Sequence, residues 1–576
     1  RNDIENLNAA LYLKITLPLG FSIQTTYSPR FEWTNYLFHK AAASPDSGSQ
    51  NGRVERTHTK DFYWQWDNML KWNKTFGKHA FDFTFLANWE KFQRWHDEMT
   101  NENFLPTDEL GYGGIGFGTS PNVSSDDVYR TGDAFMGRLH YVYDQRYLIT
   151  ATVRRDGYSA FGLANPRATF PAIALGWVFS EEKFLHRPDW FEYGKLRLSW
   201  GKNGNRAVGT YAAFMQLAPR KYIYVDPATG SLVTANTFYA STMANPNLKW
   251  ESTTSWNIGT DLTFLKGRLS ANLDVYKKIT TDLLVSRELP SLIGYSSVMS
   301  NIGEVQNTGV ELSLNSTNIR MDKLTWRTSF SLAYNKNKIT HLYGIMEDVK
   351  DADGNVIGQR EADDIKNKRF IGHDIDEIWD YKVVGIWQEE EREEAAKYGQ
   401  QPGDVHLLDK DMNYKYDNTD KEFQGTTMPR LRWSMRNDFT LFKNFNISFN
   451  MYSYIGHKKT LGRFTNDNAL LNVTNQIKRD YWTPENRNNE YPRLANKKPA
   501  GVSYAIYKNA SFLRFDNISI GYTFPKKLIE PLRIQNLNVN ATMKNAGYIS
   551  GWPGYDPENS DANTPRVIYF GINLTL

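Results

Sequence analysis

Apolar and polar residues alternate along this chain in long runs, most plainly between positions 245 and 316. Trp256, Ile258, Leu262 and Phe264 fall on one side of the alternation, and Ser255, Asn257, Asp261 and Thr263 on the other. After Lys266-Gly267 the pattern resumes, with Leu269, Ala271, Leu273 and Val275 against Ser270, Asn272, Asp274 and Tyr276. A third run sets Val310, Leu312 and Leu314 against Glu311, Ser313 and Asn315. A period of two is what a strand needs when one face is apolar and the other wet. Reading the whole chain this way predicts strands at 7–17, 21–33, 59–72, 80–92, 131–143, 147–155, 169–180, 195–201 and 250–264. Further strands are predicted at 268–279, 302–317, 324–337, 429–441, 445–454, 508–523, 537–546 and 566–576. Many exceed the roughly 5–6 residues usual for soluble strands and meet the roughly 9–11 needed to cross hydrocarbon at a tilt. Connections alternate in length: short turns at 18–20, 73–78, 144–145, 266–267, 318–323 and 442–444, long polar stretches at 93–130, 203–249, 339–428 and 456–507. Short turns at one end and long loops at the other are the plan of an outer-membrane barrel. The fold class predicted is all-β, a large antiparallel transmembrane β-barrel with long extracellular loops.

Composition supports that reading. The chain has 576 residues with no cysteine, which excludes disulfides and thiolate metal sites. Net charge is only +4, from 68 basic and 64 acidic residues mixed along the chain, so there is no electrostatic case for nucleic acid. Aromatics make up 14%, as expected of girdles at two interfaces with outer-membrane lipid. No apolar run approaches the roughly 18 residues of a spanning helix. The chain opens at Arg1, whereas a barrel in this location needs an export signal. Counting strands back from a periplasmic end makes the first one start outside. The expectation is therefore that residues 1–576 are the C-terminal portion of a barrel, without its early strands.

Candidate chemistry is sparse. Asp409, Asp411, Asn413, Asp417 and Asp420 occupy positions 1, 3, 5, 9 and 12 of a loop, with Lys415 offering a carbonyl at position 7. This is the ligand spacing of an EF-hand loop, and an all-oxygen set suits Ca2+. Tyr414 stands where the sharp turn wants glycine, and Asp420 is shorter than the usual glutamate; a solvated acidic loop is the competing reading. The glycine-rich stretch 111–118 looks like a phosphate cradle, but no Lys-Ser/Thr follows, so a flexible outer loop is expected. Histidines show no paired metal spacing, and no carboxylate pair has a partner arrangement, so enzymatic activity is not expected. Residues 388–397 read as a short charged surface helix. Tyr211, Tyr222, Tyr224, Phe238, Tyr239 and Trp387 are loop aromatics eligible for ligand contact. Asp261, Asp274, Glu311 and Arg197 read as polar lumen packing.

Several motifs carry a family resemblance. Asn245-Pro-Asn-Leu-Lys-Trp-Glu251, Thr280-Thr-Asp-Leu-Leu284 and Asn301-Ile-Gly-Glu-Val-Gln-Asn-Thr-Gly-Val-Glu-Leu312 resemble the SusC/RagA family of TonB-dependent outer-membrane transporters of Bacteroidetes. Arg154-Arg-Asp-Gly157, Phe161-Gly162, Phe170-Pro171, Gly385-Ile-Trp-Gln388, Pro402-Gly-Asp404, Ile520-Gly-Tyr-Thr-Phe-Pro525, Gly554-Tyr-Asp-Pro-Glu558 and the closing Phe570–Leu576 agree with it. The likeness runs from about residue 130 to the end. It implies a 22-stranded barrel around an N-terminal plug, of which this chain holds about 17 strands, and a plug region that contacts TonB. It also implies a SusD-like surface lipoprotein as lid, homodimers of such pairs, and import of oligosaccharides or oligopeptides. The alternatives are a structural or adhesive barrel that transports nothing, and a soluble all-β carbohydrate-binding protein.

Overall fold

The computed structural model describes residues 1–44, 50–104, 110–289, 291–295, 297–351, 353–460, 480–494, 496–559 and 562–576. All seventeen predicted strands are present among them. The first is broken into Asn2–Asn8 and Leu11–Thr16, both paired with Phe21–Lys40 in one continuous register. The break falls opposite Pro29, which has no N–H to give the ladder. The chain forms two compact units, one from Arg1–Val178, Arg197–Trp256 and Lys278–Glu304, the other from Phe179–Leu196, Asn257–Lys277 and Val305–Leu576.

In the first unit, Phe21–Lys40, Arg53–Phe76, His79–Glu102, Asn122–Tyr143, Tyr147–Tyr158 and Arg167–Trp177 pair antiparallel in chain order. Register sorts the side chains onto two faces. Tyr27, Trp66 and Trp89 align on one; Asp67, Asn88, Ala134 and Asp156 align on the other. Trp66 is 44% exposed although it sits mid-strand on the apolar face, which only a hydrocarbon environment rewards. Along Arg53–Phe76 that face reads Phe62, Trp64, Trp66, Asn68, Leu70, Trp72, an 11-residue belt that matches the roughly 9–11 residues of a membrane crossing. Beyond Phe62 the same face carries Lys60, His58 and Arg56. At about 3.3 Å per residue the strand runs roughly 30 Å past the belt. This corrects the expected loop at 93–130: strand continues to Glu102 and resumes at Asn122, held by cross-strand pairing where alternation has ended. The stretch expected as a flexible loop at 111–118 winds into 3-10 turns at Gly111–Phe117.

In the second unit, Leu324–His341, Leu431–Leu441, Phe445–Ile455, Phe512–Thr523, Asn536–Ser550 and Val567–Thr575 pair in that order. One rung runs Trp326, Phe439, Ile447, Ile520, Ala541, Phe570; the next runs Arg327, Asp438, Ser448, Ser519, Thr542, Tyr569. The alternation seen in sequence is thus an apolar face against a polar one. Asn437 is an exception on the apolar face, and its Oδ1 accepts from Trp326 Nε1 at 2.9 Å and Thr328 Oγ1 at 2.7 Å. A polar group there is tolerated because its acceptor is satisfied within the protein.

The long stretch 339–428 is not formless. It holds the hairpin Met346–Lys350 with Val356–Glu361, the pairs Glu377–Tyr381 with Lys421–Thr426 and Val383–Ile386 with Val405–Leu407, and the helix Arg392–Lys397. The expected charged helix is there, led by a 3-10 turn at Glu389–Glu391 that Glu391 caps through Gln388 N–H at 2.7 Å. Tyr381, Ile386, Val405, Leu407, Trp482, Tyr504, Ile506, Ala510 and Trp552 pack into a hydrophobic core of the connecting segments themselves.

Candidate functional site

The acidic loop brings three of its predicted residues together. Carboxylate oxygens of Asp409, Asp411 and Asp420 lie within 4.8 Å of one another, a spacing one hard cation can span. The loop's own backbone also uses them. Asp409 accepts from Met412 N at 2.8 Å and Tyr414 N at 2.9 Å, and Asp420 accepts from Lys410 N and Asp417 N, each at 2.9 Å. The other predicted residues turn to local bonds: Asn413 Oδ1 accepts from Lys415 N at 2.7 Å, and Asp417 caps Thr419 N at 2.7 Å. Met412 and Tyr414 adopt φ of 57° and 63°, so the turn is made without the glycine. Partial desolvation works against ionisation of Asp409, but hydrogen bonds from Tyr398 and Tyr414 outweigh it and hold its carboxyl below the usual range. Desolvation and the adjacent Asp409 push Asp411 up.

The nominated aromatics separate. Trp387 is fully buried, with Nε1 donating to Gln400 at 3.2 Å and His406 stacked on it, so it is core and not a ligand platform. Tyr211 accepts from Tyr129 N at 3.0 Å. Tyr222, Tyr224, Phe238 and Tyr239 lie exposed on the hairpin Gln216–Val225 with Leu232–Thr242. Asp261 accepts from Asn272 Nδ2 at 2.7 Å, as polar strand packing.

Many of the motif residues act as braces. Asn301 Nδ2 donates to Lys249 O at 2.7 Å and Asp282 O at 3.0 Å, and Lys249 N donates back to Asn301 Oδ1 at 2.8 Å. One side chain thus ties three separate motifs. Gly162 N donates to Leu248 O at 2.9 Å, and a Cβ on Gly162 would strike the backbone of Pro246. Asp404, fully buried, accepts from Arg493 Nε at 2.7 Å and Lys497 N at 2.8 Å. Beside it, Gly403 takes φ of 88° against Trp482.

On the polar face of the first unit lies a constellation that sequence periodicity did not single out. A cavity of about 780 Å3 is lined by residues including Asp67, Glu90, Arg154, Asp156, Phe170, Arg206 and Trp250. Arg206 pairs with Glu90, and Arg154 with Asp156 at 2.8 Å. Arg206 also lies 5.0 Å from the Tyr158 ring. Alternation places such residues on the wet face but gives no sign that six strands and a connecting segment converge there.

Residues 1–546 match the family described as TonB dependent receptor-like, beta-barrel. The chain is 32% identical over 467 residues to TonB-dependent receptor SusC of Bacteroides thetaiotaomicron, covering 77% of this chain and 43% of that protein. It is 28% identical over 562 residues to TonB-dependent receptor P3 of Formosa agariphila, covering 96% of this chain and 53% of the relative. The RagAB peptide transporter structure superposes with a TM-score of 0.79 at 20% identity, covering all of this chain and 62% of the other. The chain thus spans about half the length of the curated relatives it matches. With its apolar belt, polar opposite face and antiparallel strands, this chain belongs to the TonB-dependent receptor-like β-barrel family and is an outer-membrane protein similar to SusC.

Proposed function

We propose that this chain is the barrel of a TonB-dependent importer of oligomeric nutrients, oligosaccharides or oligopeptides, working with a SusD-like surface lipoprotein. The family match over residues 1–546 carries the reading. The structure adds its physical terms. Strands such as Arg53–Phe76 continue well past the lipid belt, so the wall extends beyond the membrane. The connecting segments of the second unit pack around their own hydrophobic core, which gives a lid a firm platform rather than a fringe of mobile loops. The polar strand faces supply the wet lumen that a hydrophilic oligomer needs.

The test is a pull-down of the tagged full-length protein from outer membranes, paired with uptake of labelled oligomers by cells lacking its gene. Recovery of a SusD-like lipoprotein and loss of uptake are the expected results. Recovery of adhesion components with uptake unchanged would overturn the reading in favour of a structural barrel.

A further inference from the structure

The outward face of the first unit carries a cavity just past the lipid belt. Register puts Phe31 beside Phe62, at the end of the belt along Arg53–Phe76, and the next rung of that face runs Glu5, Trp33, Lys60, Trp95. The rung after it holds Asn35, His58 and Asp97. These residues line a cavity of about 490 Å3, within the roughly 300–1,000 Å3 of small-ligand sites. Lys60 and His58 stand two and four positions past Phe62, roughly 7–13 Å along the strand. The short turn joining Phe76 to His79 closes the opposite end of the hairpin, and short turns face the periplasm in such barrels. The cavity therefore lies at the level of the outer leaflet's headgroups, on the outside of the wall.

Its chemistry selects among headgroups. Trp33 stacks on Phe31 at 5.7 Å and remains 37% exposed, so the aromatic belt continues into the cavity as an open platform. Lys60 Nζ lies 5.1 Å from the Trp95 ring, and Asn35 Oδ1 and His58 Nδ1 are bonded to each other at 2.7 Å. The Glu5 and Asp97 side chains are exposed, and neither makes a hydrogen bond or ion pair among the described residues. A bare phosphate would meet two unneutralised carboxylates against one ammonium, and like charges at contact repel. A sugar ring brings hydroxyls, which donate charge-assisted hydrogen bonds to carboxylates, and a C–H face that buries indole surface. We propose that this cavity seats the sugar headgroup of an outer-leaflet glycolipid. Glu5 and Asp97 accept from its hydroxyls, its ring covers Trp33, and its acyl chains lie on the belt below. The site acts independently of what the barrel carries.

Native mass spectrometry of the full-length protein in detergent tests this. The protein is titrated in turn with lipopolysaccharide from its own outer membrane, the same lipopolysaccharide stripped of acyl chains, and phosphatidylethanolamine. Tight binding of the intact glycolipid, with weaker binding of the other two, is expected. Glu5→Gln with Asp97→Asn keeps the shape of the cavity and removes both charges; glycolipid affinity should fall about ten-fold or more at unchanged melting temperature. Trp33→Leu keeps an apolar residue and removes the platform; it should weaken glycolipid binding and leave phosphatidylethanolamine binding as it was. Phosphatidylethanolamine bound as tightly as the glycolipid would overturn the sugar assignment, and deacylated sugar bound as tightly would overturn the lipid source. No bound glycolipid, or unchanged glycolipid affinity in either variant, would overturn the site itself.

Discussion

Two carboxylate clusters in the second unit meet the same problem in opposite ways. At 409–420, three carboxylates converge, and the loop's own N–H groups and the Tyr398 hydroxyl answer them. At 554–558, Asp556 and Glu558 converge on Arg514: Arg514 pairs with Asp556, and its Nε lies 2.7 Å from Glu558. The Arg514 and Asp556 side chains are 3% and 1% exposed. The first cluster satisfies geometry and leaves its charges unneutralised by any side chain named above. The second neutralises charge and thereby pins a connecting segment to a strand. A buried acid kept by an arginine owes its countercharge to one residue, although Glu558 N also donates to Asp556 at 2.9 Å, whereas an acid kept by backbone amides alone depends on the whole turn.

Breaking the arginine should show the largest effect. Arg514→Ala leaves Asp556 buried without its partner, and loss of about 3–5 kcal/mol is expected from urea unfolding of the detergent-solubilised protein. In the acidic loop, Asp420→Ala orphans the N–H groups of Lys410 and Asp417. A loss of about 1–3 kcal/mol is expected, read as faster limited proteolysis within 409–420; equal losses at both sites would erase the contrast.

Acid should separate the histidines from both clusters. Burial lowers the pKa of His406, and burial with Lys459 and Arg432 lowers His457 to about 4. Their neutral forms are therefore favoured by the fold, so stability is full above the unfolded value of about 6.5 and declines as pH falls from there. Asp556, although burial opposes its ionisation, is held below the usual range by hydrogen bonds from Thr564, Arg514 and the Glu558 amide. Its contribution stays intact until pH falls below about 4. Amide exchange at pH 5 against pH 7.5, corrected for intrinsic rates, should rise near 405–407 and 457 and not near 554–558. The smallest effect belongs to Lys397→Ala, since its pair with Glu394 is solvent-exposed. A change within about 0.5 kcal/mol is expected in the same unfolding assay.

Alternation made the strands legible because a strand with lipid on one side and water on the other has no freedom in its pattern. It read Trp256, Ile258 and Leu262 correctly and failed on 93–130, where both strand faces are wet and the period disappears although pairing continues. Trp387 was eligible as a platform by its loop position, yet it is core, because a long loop can fold on itself as 339–428 does. The helix at 392–397 was legible from local charge spacing alone. Family motifs pointed to Asn301 and Asp404 without saying what they do. Their bonds to Lys249, Asp282 and Arg493 span up to 89 positions.

By itself, then, the sequence determined the strand order, the apolar face and the family, since these rest on a two-residue period and on motifs local in the chain. Only the tertiary structure decided which acids meet an arginine and which meet backbone, and that Glu5, Trp33 and Asp97 line one cavity past the belt. Those outcomes depend on register between strands and on loops closing at a distance, where one residue of slip would put every side chain on the other face.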